Sequence, residues 1–205
     1  KIENGSFVFD VKTPNGFVKD IIFHLPGRHN VSNALVSIAM AEKHGLDLED
    51  IKKALGSYKG VKRRFSYKIK QDDFVLIDDY AHHPTEIEAV ENAVREMYPD
   101  DSVLAIFQPH LYSRTRDFGK DFAKSLSQFD ELLLLDIYPA RELPIEGVTS
   151  SWLLSKIKNE NKQLVSKELL LETIQKSEAQ IILTMGAGDI GEEVKHIKKE
   201  LSIAS

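Results

Sequence analysis

Phe74-Val75-Leu76-Ile77-Asp78-Asp79-Tyr80-Ala81-His82-His83-Pro84 is the stretch on which the fold turns. Its four leading apolar residues do not alternate with polar ones, which fits a strand buried on both faces, as in a parallel sheet. Pro84 supplies a helix start signal, Thr85-Glu86-Ile87-Glu88 fits a capping box, and Ile87, Val90, Val94 and Met97 recur at helical spacing. Two carboxylates, a phenol and two imidazoles are therefore pinned on one short turn between two elements that both bury a face. In an open α/β sheet such a turn lies at the carboxyl end of a strand, where ligands bind. The plainer alternative is that Asp78 and Asp79 cap backbone amides while the histidines belong to a surface loop.

Downstream the same alternation repeats. Apolar strands are expected at 73–78, 103–107, 131–135, 163–165 and 180–185, and amphipathic helices at 85–97, 115–127, 150–158, 167–176 and 189–201. Strand and helix alternating at this length predict an α/β fold, a mostly parallel sheet with helices on both faces. Parallel strands gather their carboxyl ends on one edge, so the residues after each strand share a rim. The first strand delivers Asp78 to His83. The second delivers Gln108-Pro109-His110 with Tyr112, Arg114 and Arg116, the third Asp136, Tyr138 and Arg141, and the last Gly186 to Gly191. Acids, histidines and arginines thus converge on one edge. Arg114 and Arg116 stand near a helix start, where the macrodipole does not favour cations. A carboxylate or phosphate ligand would favour an arginine there. For Arg116 a surface ion pair with Asp117 or Asp121 is the better account.

Gly186-Ala187-Gly188-Asp189-Ile190-Gly191 satisfies G-x-G-x-x-G literally, which raises an NAD-binding oxidoreductase domain or a non-catalytic nucleotide-binding module as rivals. The dinucleotide fingerprint also needs a second strand and an acid about 20 residues on, and the residues after Gly191 have a helical pattern instead. The glycines are read as a close strand-to-helix turn that lets another group approach the rim. No G-x-x-x-x-G-K-[ST] phosphate loop and no H-E-x-x-H occur, and no other spacing points to a metal site.

Upstream the pattern changes. Ser6 to Val11 and Phe17 to Leu25 around Pro14-Asn15-Gly16 predict a hairpin, followed by helices at 30–44, closed by Gly45, and at 48–55. So few elements make little core, and the segment is expected to pack on sequence outside this chain. Lys59 to Lys70 is basic throughout and is expected to hold a linker. Across all 205 residues, 27 Lys and Arg stand against 32 Asp and Glu, a net charge of -5 that offers no general attraction for nucleic acid or membranes. There is no cysteine, which excludes disulfides and thiolate chemistry and suits the cytoplasm. No apolar run approaches the roughly 18 residues of a membrane span, and Lys1-Ile2-Glu3-Asn4-Gly5 is no signal peptide. Opening without Met on a strand-like segment, the chain is expected to be part of something longer.

In order, Gly27-Arg28-His29-Asn30-Val31-Ser32-Asn33-Ala34, Arg63-Arg64-Phe65, Asp78-Asp79-Tyr80-Ala81-His82-His83-Pro84-Thr85-Glu86, Gln108-Pro109-His110-Leu111-Tyr112-Ser113-Arg114-Thr115-Arg116 and Gly186-Ala187-Gly188-Asp189-Ile190-Gly191 resemble the Mur ligases of peptidoglycan synthesis, from about Gly5 to Leu201. The resemblance implies that residues 1–60 are the end of a central ATP-binding domain. Residues 61–205 would be the C-terminal Rossmann-like domain that brings the amino acid. It implies ATP-dependent amide formation through an acyl phosphate, with UDP-N-acetylmuramate, L-alanine and ATP as substrates. The phosphate loop and the Mg2+ ligands would lie in upstream domains of the same polypeptide. A ligase that recycles preformed peptide shares the Ala81-His82-His83-Pro84 turn and is the rival within the family. By resemblance Asn30 and Asn33 contact adenine, Arg64 lies near the ATP phosphates, and Asp79 serves the ribose and the domain junction. Tyr80, His82, His110 and Arg114 match the amino-acid end, with Arg114 holding the carboxylate. Many members carry arginine where this chain has Leu111, which leaves the sharing of work among the cations open.

Overall fold

The computed structural model describes residues 1–3 and 6–202; Asn4 and Gly5, in the opening segment, and residues 203–205 lie outside them. The chain divides into two compact units, one of Lys1–Val61 with Asn92–Pro99, the other of Lys62–Glu91 with Asp100–Ser205.

In the first unit β1 (Ile2–Glu3), β2 (Ser6–Lys12) and β3 (Phe17–Phe23) form an antiparallel sheet in that order, followed by α1 (Arg28–Lys43) and α2 (Leu48–Ser57). The β2–β3 turn is held by Thr13, whose N–H donates to the Gly16 carbonyl at 2.9 Å. The register slips between Phe9 and Val11, where Asp20 takes φ 52° and its N–H donates to Asp10 Oδ1 at 2.9 Å. Val11, Val18, Ile21, Ile38 and Ile51 make a small core.

The second unit is a six-stranded sheet in the order β4 (Ser66–Lys70), β5 (Val75–Asp79), β9 (Ile181–Met185), β6 (Val103–Phe107), β7 (Glu131–Leu134), β8 (Lys162–Leu164). All neighbours from β5 to β8 are parallel; β4 alone runs antiparallel, against β5. Every residue of β5, β6 and β9 is buried, as expected for strands covered on both sides. Leu76, Leu104, Ile106 and Ile182 pack with Leu170 and Ile174 of α7 (Lys167–Ile174) and with Ile190 and Ile197 of α8 (Ile190–Leu201). Phe107, next in line to Ile106 and so directed to the opposite face, meets Phe122 of α5 (Gly119–Leu126) at a ring separation of 5.5 Å. The fold class expected from the sequence is the one observed.

Three details depart from expectation. The basic stretch expected to hold a linker also contains β4, an edge strand whose Tyr67 and Ile69 alternate with Lys68 and Lys70. The helix expected at 115–127 is two: α4 (Tyr112–Asp117) and α5, broken at Phe118. Gly119 is required there, because a Cβ would stand 2.6 Å from the Trp152 indole of α6 (Ser150–Leu154). Finally, α3 (Pro84–Met97) already includes Thr85, so the cap lies earlier: Thr85 N–H points to His83 Nδ1 at 3.4 Å, and Glu86 reaches back to accept from His82 N–H at 3.0 Å. Among the described residues no helix is long and apolar enough to cross a membrane.

Candidate active-site rim

The carboxyl ends of β5, β9, β6 and β7 lie side by side, and the polar residues that follow them form two levels. The lower level is closed on itself. Asp78 is 2% exposed and meets Arg63 Nε at 3.3 Å, Lys68 Nζ at 3.4 Å and the Thr184 hydroxyl at 3.4 Å. Asp79, 4% exposed, accepts from Ala81 N–H on Oδ1 at 2.8 Å and from Phe65 N–H on Oδ2 at 2.7 Å. Burial pushes its pKa up, while those two N–H groups and the Arg64 charge pull against the shift. Asp79 therefore ties the chain entering β4 to the turn leaving β5, and both its oxygens are engaged.

Arg63 completes this floor. Its Nη2 donates to the Gly186 carbonyl at 2.6 Å, its guanidinium lies 5.1 Å from the centre of the Tyr80 ring, and its own carbonyl accepts from Tyr80 N–H at 2.7 Å. A Cβ on Gly191 would come within 2.7 Å of the Arg63 guanidinium carbon. Gln108, also buried, donates from Nε2 to Asp189 at 2.8 Å and accepts on Oε1 from Ile190 N–H at 3.0 Å, while Lys167 pairs with the other Asp189 oxygen. A Cβ on Gly188 would strike Gln108 Oε1 and lie 2.7 Å from Tyr138 Cγ. The glycines thus admit Arg63, Gln108 and Tyr138. The start of α8, where a dinucleotide would set its pyrophosphate, is occupied by the Gln108 amide.

The upper level is a row of rings ending in a cation. Tyr80 is 38% exposed and meets His82 edge-on at 5.3 Å; His82 meets His110 at 6.1 Å; His110 stacks on Tyr138 at 5.6 Å. Arg114 Nη1 lies 3.4 Å from His110 Nδ1. Hydrogen-bond partners assign the tautomers. His82 Nδ1 faces two acceptors, the Tyr80 carbonyl at 2.9 Å and Glu86 Oε2 at 3.1 Å, so it carries the proton and Nε2 is left as an acceptor. His110 Nδ1 faces a donor, so its proton sits on Nε2. Burial lowers the His110 pKa, and the neighbouring Arg114 guanidinium and His82 ring lower it further, which favours the neutral ring.

Of the residues singled out from sequence, Tyr80, His82, His110, Arg114 and Tyr138 come together. Asp79 lies beneath them. Arg64 is exposed, with Glu86 3.8 Å away. Arg116 pairs with Asp117 at 2.8 Å on the surface, and Asp136 and Arg141 are exposed. Asn30 and Asn33 belong to the first unit, where the Asn30 amide donates to the Pro26 carbonyl at 2.7 Å and Asn33 is exposed. Arg63, and not its neighbour Arg64, fills the glycine turn; its side-chain direction at a positive φ, here 58°, is not legible from residue type. Among the described residues no group of three or more His, Asp or Glu could hold a metal ion.

The sheet and its rim define an α/β domain with polar side chains gathered along the carboxyl ends of its parallel strands, the edge at which open α/β sheets take ligands. A family model described as "Mur ligase, glutamate ligase domain" matches residues 63–188, and the chain belongs to that family. It is 65% identical over 201 residues to the UDP-N-acetylmuramate--L-alanine ligase of Flavobacterium psychrophilum, covering 98% of this chain and 45% of that protein. The protein of the same description from Christiangramia forsetii is 63% identical, at 98% and 44% coverage. The chain thus spans less than half the length of these relatives. The crystal structure of UDP-N-acetylmuramate-alanine ligase MurC from Thermotoga maritima superposes with a TM-score of 0.77 at 28% identity, over 92% of this chain and 41% of that one. MurF from Acinetobacter baumannii, at 18% identity and a TM-score of 0.71 over 95% and 42%, shares the fold alone.

Proposed function

We propose that this chain is the C-terminal portion of a cytoplasmic UDP-N-acetylmuramate–L-alanine ligase and that its rim receives the amino acid. The observation that carries the reading is the 65% identity across 98% of the chain to a relative of that name. On this account residues 1–60 end the ATP-binding domain and residues 61–205 are the amino-acid domain. ATP supplies the phosphoryl group that turns the muramoyl carboxylate into an acyl phosphate, with Mg2+ held by residues upstream of this chain. Arg64 fits a phosphate oxygen, being exposed and only loosely paired, and Asn33 offers an exposed amide suited to a purine edge. Asn30 can turn its amide oxygen to a ligand while Nδ2 stays on Pro26.

The upper row divides the work on the incoming alanine. Arg114 holds its carboxylate through paired N–H donors. The ammonium must lose a proton before it attacks, and His82 Nε2 is the free acceptor, with Glu86 behind the ring to balance the charge that develops. Neutral His110 donates from Nε2 to the oxygen that gains charge as the tetrahedral intermediate forms. Asp79 keeps the Tyr80–His82 turn in place from below.

The test is phosphate release by the complete protein. ATP turnover that requires both UDP-N-acetylmuramate and L-alanine supports the reading. Turnover with a peptide in place of alanine would transfer the chain to the recycling ligases. The chain alone, which carries no G-x-x-x-x-G-K-[ST], should release none.

A further inference from the structure

The loop after β7 reaches across to the loop after β6 and grips it at several points. Tyr138 N–H donates to the Pro109 carbonyl at 2.8 Å, and the Tyr138 carbonyl accepts from Leu111 N–H at 2.9 Å, making a short parallel bridge between His110 and Tyr138. Above it the two rings stack at an interplanar angle of 20°. Four residues later Glu142 accepts from Ser113 N–H on Oε2 at 2.9 Å and from the Ser113 hydroxyl on Oε1. Ser113 and Glu142 are 29 residues apart, so nothing local brings them together.

The gripped backbone is the piece between His110 and Arg114. Leu111 stands there at φ 73°, ψ 133°, sparsely populated for any residue with a side chain, and caps α4 with no side-chain hydrogen bond of its own. A helix of six residues whose cap is a strained leucine does not hold its first turn unaided. Glu142 supplies the missing acceptors from another loop. We propose that Glu142 is a positioning residue of the rim: by clamping Ser113 from the β7 side, next to the Leu111–Tyr138 bridge, it sets His110 and Arg114 against one another. The clamp is a property of this chain; only the consequence for alanine rests on the function proposed above.

The charged groups around His110 separate two effects. Arg114 and His82 oppose its protonation, and Glu142 favours it. Glu142→Gln keeps an acceptor for Ser113 and removes the charge, whereas Glu142→Ala removes both. In the full-length protein, amide exchange at Ser113 should quicken about tenfold in Glu142→Ala and stay near wild type in Glu142→Gln, with the amides of β9 unchanged in both. The His110 midpoint, followed by NMR, should fall in both variants. The KM for L-alanine should rise about tenfold in Glu142→Ala with that for ATP within about twofold, and Glu142→Gln should recover most of the loss. Unchanged exchange at Ser113 and an unchanged His110 midpoint in Glu142→Ala would overturn the clamp. Faster exchange with an unmoved KM for alanine would overturn its positioning role. Should Glu142→Ala lose protection in β9, the Glu142→Gln midpoint decides: a fall supports the contact and no change refutes it. If the wild-type protein shows no alanine-dependent turnover, the functional reading falls, while exchange and titration still judge the clamp.

Discussion

Asp79 and His82 are three residues apart and lead opposite lives. Asp79, at the end of β5, is buried with both oxygens on backbone N–H groups, and Asp78 beside it faces Arg63 and Lys68. His82, three residues on, has one nitrogen fixed from behind and the other without a protein partner among the described residues. The lower level spends its polar groups on the fold, and the upper level keeps some unspent. Position along the strand axis, more than residue type, separates groups tied into the fold from groups left open on this rim.

Substitutions should expose that division, because changes above should cost activity and changes below should cost stability. The largest effect is expected above. Arg114→Ala in the complete enzyme should reduce kcat/KM for alanine about a hundredfold, the scale of a lost charge-assisted pair, and leave the unfolding midpoint of the chain close to wild type. Near wild-type kinetics would remove Arg114 from the carboxylate. Next comes Asp79→Asn, which must turn an NH2 group toward either Phe65 N–H or Ala81 N–H. A loss of about 2 kcal/mol in urea unfolding is expected, and a neutral outcome would mean that the floor is not what holds the turn. Gly191→Ala pushes a methyl into the Arg63 guanidinium and should cost about 1 kcal/mol, with Arg63→Met relieving part of it; additive costs would break the link between the glycine and the arginine.

The smallest effect is a pH slope, and the two levels should pull it in opposite directions. The folded pKa of His110 lies below its ordinary 6.5, so its contribution is present above that value and is lost as pH falls through the folded pKa. The folded pKa of Asp79 lies above its ordinary 3.8, so its contribution is present below that value and is lost as pH rises through the folded pKa. Urea midpoints measured from about pH 7.5 to about pH 5 should fall less steeply in His110→Asn than in wild type. An unchanged slope would show that His110 is not held neutral by its surroundings.

How much of this was legible beforehand depends on the kind of signal. The parallel core was, because strands buried on both faces are written as unbroken apolar runs, and Phe74 to Ile77 is one. Strand β4 was not: Ser66-Tyr67-Lys68-Ile69-Lys70 does alternate, but its lysines lie inside a longer basic run, and the acid that answers Lys68 is in the next strand. The need for glycine at position 119 depends on Trp152, beyond the reach of any helical period. At the rim, residue types after successive strands correctly pointed to Tyr80, His82, His110 and Arg114 as neighbours. They could not show that Asp79 turns inward, that Arg63 and not Arg64 fills the glycine turn, or that Glu142 reaches Ser113. Those facts depend on loop trajectories and on side-chain direction at unusual φ.

Strand β9 comes last in the chain and yet lies in the middle of the sheet, with Thr184 beside Asp78 across 106 residues of sequence. During synthesis β5 and β6 must therefore wait as unmatched edges, with a slot between them, until Met185 clears the ribosome. A message cut short before that point would yield a chain with two sticky halves and no central rib. Quality control in the cell should see such truncations as aggregating polypeptide, not as a weakened enzyme.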